Sequence, residues 1–366
     1  MNEERFKIEE QIAERLKEQL ARNPSIVPVN LRRNMFIAGS EVDIDYVVEN
    51  MGRQYEILVE VKSQGSPRAL RQAAIQLKSI RSSFSDNNQC LYLAIGAPYI
   101  SDKGIEICRE EQVGCLDAVG NCYLSFGGTY IERTGEKNTL GTKRSSKSLF
   151  SPKSSRVIRV LLSDVNKWWQ VQEITSEAEI SIGLVSKLKQ KLLDEEFVVE
   201  QDRRIRVKSP KRLIDSWVEN YKYKRNIVKE YYSFDEGQKL ERRIATYCEQ
   251  NNIRYALGLF SAASRIAPYV RMNKTFVFVD ANPDNVANVL DFRSVTSGSN
   301  VLLLKPFDAG VFYRSRDIEG FPVVSDVQAY IDLKTYKGRG EEAADFLMQH
   351  ILDPLWRPNQ STGNAR

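Results

Sequence analysis

Histidine is almost missing from this chain: His350 is the single copy in 366 residues. That argues against a Ser–His hydrolase, a His-ligated zinc enzyme and histidine-driven RNA cleavage, since each needs imidazole as base or ligand. Cysteine is scarce as well, at five: Cys90, Cys108, Cys115, Cys122 and Cys248. None forms a Cys-x-x-Cys pair and the number is odd, so neither a disulfide framework nor a zinc ribbon is expected. These thiols read as small buried hydrophobes. No run approaches the roughly 20 consecutive apolar residues of a membrane helix. The opening MNEERFKIEE is too polar for a signal peptide. A cytoplasmic protein without membrane contact is expected, and any chemistry must run on carboxylates, lysines and metal ions.

What is present fits a globular chain of two or three domains. Hydrophobic residues make up 42%, enough for real cores. The net charge of +5 is mild, but its distribution is uneven. Lys143, Arg144, Lys147, Lys153, Arg156 and Arg159 crowd one region. Arg203, Arg204, Arg206, Lys208, Lys211 and Arg212 crowd another. Residues 1–135 alternate helical and strand patterns. Residues 136–154 are polar, basic and Ser-rich, and read as a linker. A mostly helical block spans 155–230, an alternating block spans 231–357, and residues 358–366 read as a frayed tail.

In the first block, Ile8, Ile12, Leu16 and Leu20 recur every four residues, which predicts an amphipathic helix. Val42, Ile44, Tyr46 and Val48 alternate with Asp43, Asp45, Val47 and Glu49, a strand with one apolar face. Asn50-Met51-Gly52 turns the chain into a second strand holding Ile57, Val59 and Val61. Leu70, Ala73, Ala74, Leu77 and Ile80 stripe the next helix. Later strands are expected from Cys90 and around Leu116, Tyr123 and Tyr130, with a helix capped by Ser101 between them. The predicted order is α-β-β-α-β-α-β.

Glu60 and Lys62 share one strand face, and Asp45 sits on the strand before them. Two carboxylates so placed make a hard-oxygen site suited to Mg²⁺ (or Mn²⁺). Such an ion would polarise a phosphate and acidify water, with the lysine steadying charge on phosphorus. The bland alternative is a solvated strand face with a cross-strand ion pair. These residues, on this order of elements, resemble the PD-(D/E)XK nucleases, and DIDYVVENMGRQYEILVEVKS is closest to the Holliday-junction-resolvase-like branch. The resemblance implies a restriction-endonuclease-like mixed sheet flanked by helices and Mg²⁺-dependent phosphodiester hydrolysis. It places Asp45, Glu60 and Lys62 at the motif positions, with Asp43 as the alternative first carboxylate. It also implies a glutamate from the first helix, Glu9 with Glu10 close behind. A glutamine from the helix after the lysine strand is implied too, Gln76 with Gln72 as rival. The fold can also serve purely as a DNA platform. Arg68 and Arg71, with Lys78, are candidate phosphate contacts or an ordinary solvated helix face.

The middle block predicts a helix carrying Val157, Ile158, Leu161 and Leu162, then core residues Trp168 and Trp169. A second helix follows, roughly Gln172 to Ala178. A third, capped by Ser181, buries Leu184, Val185, Leu188, Leu192 and Leu193 and exposes Ser186, Lys187, Lys189, Gln190 and Lys191. Strands around residues 197–200 and 205–208 flank a basic hairpin tip. This succession resembles a winged helix-turn-helix domain. The resemblance puts the third helix in the DNA major groove and Arg203, Arg204 and Arg206 along the backbone.

In the last block, strands are expected at Tyr255–Phe260, Thr275–Val279 and Asn300–Leu304, with Ser261 as a helix cap. The phrases GLFSAASRIAPYV, LLLKPFDAGVFY and PVVSDVQAYIDLKTYKGRGEEAADFL resemble the C-terminal domain of AbiEi-type antitoxins, winged-helix regulators of type IV toxin–antitoxin systems. That resemblance implies operon autoregulation and a cognate toxin partner, and both resemblances imply homodimers. A nucleotidyltransferase is disfavoured, because Asp280 lacks a second aspartate beside it. The expected whole is an α/β multidomain protein that binds DNA: a nuclease-like domain, a winged helix and a C-terminal α/β domain.

Overall fold

The computed structural model describes residues 2–37, 39–83, 90–138, 149–269 and 273–357, with side chains from Arg5 onward. The linker cations Lys143, Arg144 and Lys147 and the 358–366 tail lie outside the described residues. The chain is a multidomain α/β protein forming two compact units. One is Met1–Ser145 with Leu193–Glu196; the other is Ser146–Leu192 with Phe197–Arg366. Among the described residues, no helix is long and apolar enough to cross a membrane.

The first unit runs α1 (Asn2–Ala21), β1 (Ile26–Ile37), β2 (Ser40–Asn50), β3 (Arg53–Val61), α2 (Pro67–Ser82), β4 (Leu91–Ala97), α3 (Asp102–Glu110), β5 (Gly114–Asp117), β6 (Cys122–Phe126) and β7 (Thr129–Arg133). Its sheet keeps chain order from β1 to β7. The β3–β4 and β4–β5 pairs are parallel and the others antiparallel. Ile12, Leu16 and Leu20 of α1 pack on Ile44, Tyr46, Ile57 and Val59. The stripe Leu70, Ala73, Ala74, Leu77 and Ile80 of α2 packs with Leu58, Leu93 and Ile95. Strand periodicity of two therefore sends alternate residues to two helical layers. A methyl at Gly96 of β4 would stand 2.6 Å from Ile12, so glycine permits this close approach of α1.

Strand β1 departs from the expected order, which passed from the first helix directly to Val42. Its burial is mostly exposed or intermediate, and it contains Pro28 and a register shift between Pro28 and Asn30. Edge strands carry such features because an unpaired ladder invites aggregation, and the same features blur alternation.

The second unit opens with α4 (Pro152–Ser163), α5 (Val171–Ala178) and α6 (Ile182–Asp194), then the hairpin β8 (Val198–Gln201) and β9 (Arg204–Val207), then α7 (Pro210–Asn220). It continues through β10 (Ile227–Tyr232), α8 (Gly237–Gln250), β11 (Tyr255–Leu257), α9 (Leu259–Ile266), β12 (Thr275–Val279), α10 (Pro283–Val289), β13 (Arg293–Ser294), β14 (Val301–Lys305), β15 (Arg316–Ile318), β16 (Phe321–Val323), α11 (Asp326–Lys334), α12 (Gly340–Leu347) and α13 (Asp353–Trp356). The sheet order is β13-β10-β14-β12-β11-β16-β15. Strand β11 stops short of the expected Phe260, because Gly258 is the cap of α9. Ser261 is not that cap. It is buried in the first turn, where its Oγ accepts from the Phe276 amide at 2.9 Å.

Trp169 is buried, but Trp168 is not core: it is only partly buried, and the Arg206 guanidinium lies over its ring at 4.6 Å. Nor are Arg156 and Arg159 free cations. Arg156 donates to both carboxylate oxygens of Asp308 at 2.8 and 2.9 Å. Arg159 is fully buried over the Trp217 ring and donates twice to Gln328 Oε1, at 3.2 and 2.6 Å. Gln328 Nε2 in turn donates to Asp332 Oδ2 at 2.8 Å, and the Tyr221 hydroxyl donates to Asp332 Oδ1 at 2.5 Å. This network joins α4, the end of α7 and α11 through satisfied buried polar groups.

Burial pushes the Asp332 carboxyl up to about 6, against the donors that favour its charged form. The folded chain then holds a proton that the unfolded chain releases near pH 4. This contribution is complete below pH 4 and declines as pH rises through about 6. In urea unfolding from pH 4 to 7, Asp332→Asn should lower stability overall and show a shallower decline than the parent. Parallel pH profiles would contradict the assignment.

Candidate active site and nucleic-acid interface

The candidate site lies at the end of β3. Pairing with β4 continues one residue beyond the strand, where the Lys62 amide donates to Gly96 O at 2.8 Å. The following loop is pinned by a bridge between Gly65 and Ile100. Ser66 then caps α2, accepting from the Ala69 amide, with Pro67 in the first turn. This start places Gln76, on the fringe of the apolar stripe, against the sheet end. Lys62 Nζ donates to Glu60 Oε1 at 2.8 Å and to Gln76 Oε1 at 3.2 Å. Gln76 Nε2 donates to Glu60 Oε2 at 3.0 Å, closing a three-residue ring. Gln72 is exposed, one turn away.

Asp43, rather than Asp45, stands beside this ring. Asp43 is buried, and its Oδ2 accepts from the Val61 amide at 2.6 Å. Its Oδ1 accepts from Arg5 Nη2 at 2.6 Å, while Arg5 Nε donates to Glu9 Oε1 at 2.9 Å. Glu9 is thus brought to the same sheet end, whereas Glu10 is exposed. Asp45 lies opposite Leu58 and is engaged by Arg32: Nε donates to its Oδ2 at 2.8 Å. Arg32 also stands 3.5 Å from Glu56. Asp45 is fully buried, yet its Oδ1 has no hydrogen-bond partner among the described residues.

Burial raises the Glu60 carboxyl above its ordinary range and the Asp43 charge raises it further, against the pull of Lys62. Glu9 is raised by burial and by Asp43, with Arg5 opposing. The donor set suits a hard divalent cation, because Glu9, Asp43 and Glu60 are all buried oxygen donors. As the side chains stand, no group of three or more His, Cys, Asp or Glu among the described residues is gathered tightly enough to hold a metal. Arg5 and Lys62 supply the positive charge instead. Neither Arg5 nor Arg32 stood out in the sequence. The spacing of Arg5 and Glu9, four apart on a helix, was the one available signal.

The other candidates around α2 divide. Arg68 is exposed. Arg71 is held by Glu111 at 2.6 Å and Glu110 at 3.1 Å, and Lys78 by Glu111 at 2.8 Å. These two cations are internally paired, which favours the helix-face reading over a phosphate contact.

In the second unit, Ser186, Lys187 and Gln190 are exposed on α6, while Lys189 and Lys191 are half-buried. Lys189 Nζ reaches across to Glu200 of β8 at 2.6 Å, tying helix to hairpin. Arg203 and Arg204 are exposed at the hairpin tip. The turn residues Asp202 and Arg203 both have positive φ, 49° and 63°, the mirror-image turn that suits a two-residue hairpin.

The fold and these sites define an α/β multidomain protein with an acidic, lysine-bearing sheet end in one unit and a basic helix–hairpin in the other. Residues 206–353 match the family described as a transcriptional regulator, the AbiEi antitoxin of a type IV toxin–antitoxin system. No curated protein matches the chain. Among solved structures, it is similar to a repair endonuclease from Pyrococcus abyssi at 16% identity, covering 30% of this chain and 46% of that one, with a TM-score of 0.22. EndoMS in its apo form is similar at 13% identity, covering 29% and 45%, with a TM-score of 0.21. An EndoMS–dsDNA complex is similar at 16% identity, covering 30% and 45%, also with a TM-score of 0.21. The chain thus spans less than half the length of the structures it matches.

Glycine adopts positive φ freely and arginine does not, so Arg203→Gly should relieve the turn by about 0.5–1 kcal/mol. If the hairpin tip contacts phosphate, the same change should weaken DNA binding and make the salt slope shallower by about 0.9. Titrations at several salt concentrations, beside thermal melts, would separate the two effects. An unchanged slope would remove the tip from the interface.

Proposed function

We propose that this protein binds DNA through a winged helix-turn-helix formed by α4, α5, α6 and the β8–β9 hairpin, and hydrolyses phosphodiester bonds at the Glu60–Lys62–Gln76 cluster. The observation that carries the reading is the closed hydrogen-bond ring of those three residues beside buried Asp43. A hard-oxygen pocket, a lysine and an orienting amide are the parts a metal-assisted hydrolase of phosphate esters requires.

Glu60 and Asp43, with Glu9, would hold Mg²⁺ or Mn²⁺. When bound, such an ion supplies Lewis acidity to a phosphate oxygen and lowers the pKa of water. Lys62 presents its ammonium beside Glu60, where it can orient an incoming water and offset charge growing on phosphorus. Gln76 keeps that ammonium in place by accepting a hydrogen bond from it and by donating to Glu60. On α6, Ser186, Lys187 and Gln190 would meet base edges and phosphates, while Arg203 and Arg204 follow the backbone.

A second reading is favoured by the family match over residues 206–353. In it, the chain is a non-cleaving regulator that represses its own promoter and pairs with a cognate toxin, and the first unit is a DNA platform. Homodimers suit either reading, since paired half-sites mirror a protein two-fold.

Supercoiled and branched DNA incubated with Mg²⁺, Mn²⁺ or EDTA would decide between them. Glu60→Ala, Lys62→Ala and Asp43→Asn should each lower metal-dependent cleavage at least about a hundredfold while leaving DNA affinity within about twofold. Cleavage equal to the parent's would reject the catalytic assignment. An absence of cleavage by folded parent protein, with an EDTA-resistant footprint on upstream DNA, would establish the regulator instead.

A further inference from the structure

We propose that Arg5 is a displaceable counter-ion. Its guanidinium holds the Glu9–Asp43 carboxylate pair in the resting chain and must leave before a divalent cation can bind there. The inference rests on reading Glu9, Asp43 and Glu60 as cation ligands, and it assigns a control over that same site.

The carboxylates themselves cannot separate far. Asp43 is fixed through its second oxygen, which accepts from the Val61 amide in the centre of the sheet end at 2.6 Å. Glu9 sits one helical turn beyond Arg5, its side chain only 7% exposed. Glu9, Asp43 and Glu60 are all buried, and carboxylates removed from water call for a nearby cation. Arg5 meets that need by forking across two acids, with Nε on Glu9 Oε1 at 2.9 Å and Nη2 on Asp43 Oδ1 at 2.6 Å. A divalent ion bound by Glu9 and Asp43 would claim oxygens that now accept from this fork, so ion and guanidinium compete.

Arg5 is free to yield. Its side chain is 53% exposed, and among the described residues it donates only to these two carboxylates. Rotating it into water opens no hole in the core. Lys62 differs, being 25% exposed and tied on two sides by Glu60 and Gln76, so it stays as Arg5 departs. Arg5 therefore lowers the apparent affinity for the cation by the fraction of time it is away from the pair. Occupancy of nine parts in ten weakens binding about tenfold.

The test is Mn²⁺ binding to the full chain, followed by electron paramagnetic resonance of the free ion, for the parent, Arg5→Gln, Arg5→Lys and Asp43→Asn. Arg5→Gln should bind Mn²⁺ about tenfold more tightly than the parent. Arg5→Lys, which keeps the charge and loses the fork, should fall between them. Asp43→Asn should bind more weakly than the parent. Thermal melts give a second readout: Arg5→Gln should melt lower than the parent in EDTA and regain the difference with Mn²⁺. Equal Mn²⁺ affinity in the parent and both Arg5 variants would overturn the counter-ion role while leaving the cation site standing. Absence of Mn²⁺ binding in every protein would overturn both. If Arg5→Gln does not fold, Arg5→Lys decides by the same comparison.

Discussion

Burying Glu9, Asp43 and Glu60 at one end of a sheet obliges the chain to bring positive charge to them. Carboxylates removed from water are tolerated only when paired or hydrogen-bonded, and much of the first unit's local architecture answers that demand. Helix α1 delivers Arg5 along with Glu9. The β3 chain end delivers Lys62, and its Val61 amide immobilises Asp43. Helix α2, started by Ser66 and Pro67, delivers Gln76 to Lys62 and Glu60 together. The resting site is thus electrostatically closed by the protein's own cations, and it is built of parts that a metal ion could reuse.

The second unit solves a related problem in a drier place. Arg159 and Asp332 are both fully buried and do not touch; Gln328 stands between them, with Tyr221 completing the aspartate's shell. Such a chain of donors and acceptors has little freedom to rearrange without stranding one member. It ties α4, which precedes the β8–β9 hairpin, to α11, which lies within the segment that matches the antitoxin family. Lys187 on α6 and Arg203 and Arg204 at the hairpin tip, by contrast, are exposed.

Periodicity made most of the first unit legible: the four-residue recurrence of α1, the alternation of β2, and the stripe of α2. Strand β1 was not legible, since an edge strand with Pro28 and a register shift carries little apolar alternation. In the second unit, the helix–helix–helix–hairpin order is readable from apolar spacing and the basic turn. Trp168 is not, because whether an aromatic is core or lies beneath an arginine depends on what folds over it. Around the candidate site, the i, i+2 rule puts Glu60 and Lys62 on one face, while the glutamine, Gln76 with Gln72 as rival, came only from the nuclease resemblance.

The sequence by itself determined the residue types at this site and which strand and helix faces carry them, because local periodicity sets direction. It also shows how little histidine the chain has, His350 being the single copy. Only the tertiary structure decided that Asp43 rather than Asp45 adjoins Glu60, since both lie on one strand face and cross-strand register chooses between them. Tertiary structure likewise decided that Arg71, Arg156 and Arg159 spend their charge internally and that Arg5 spans two acids. Charge pairing depends on distances between elements remote in sequence, and composition holds no information about those distances.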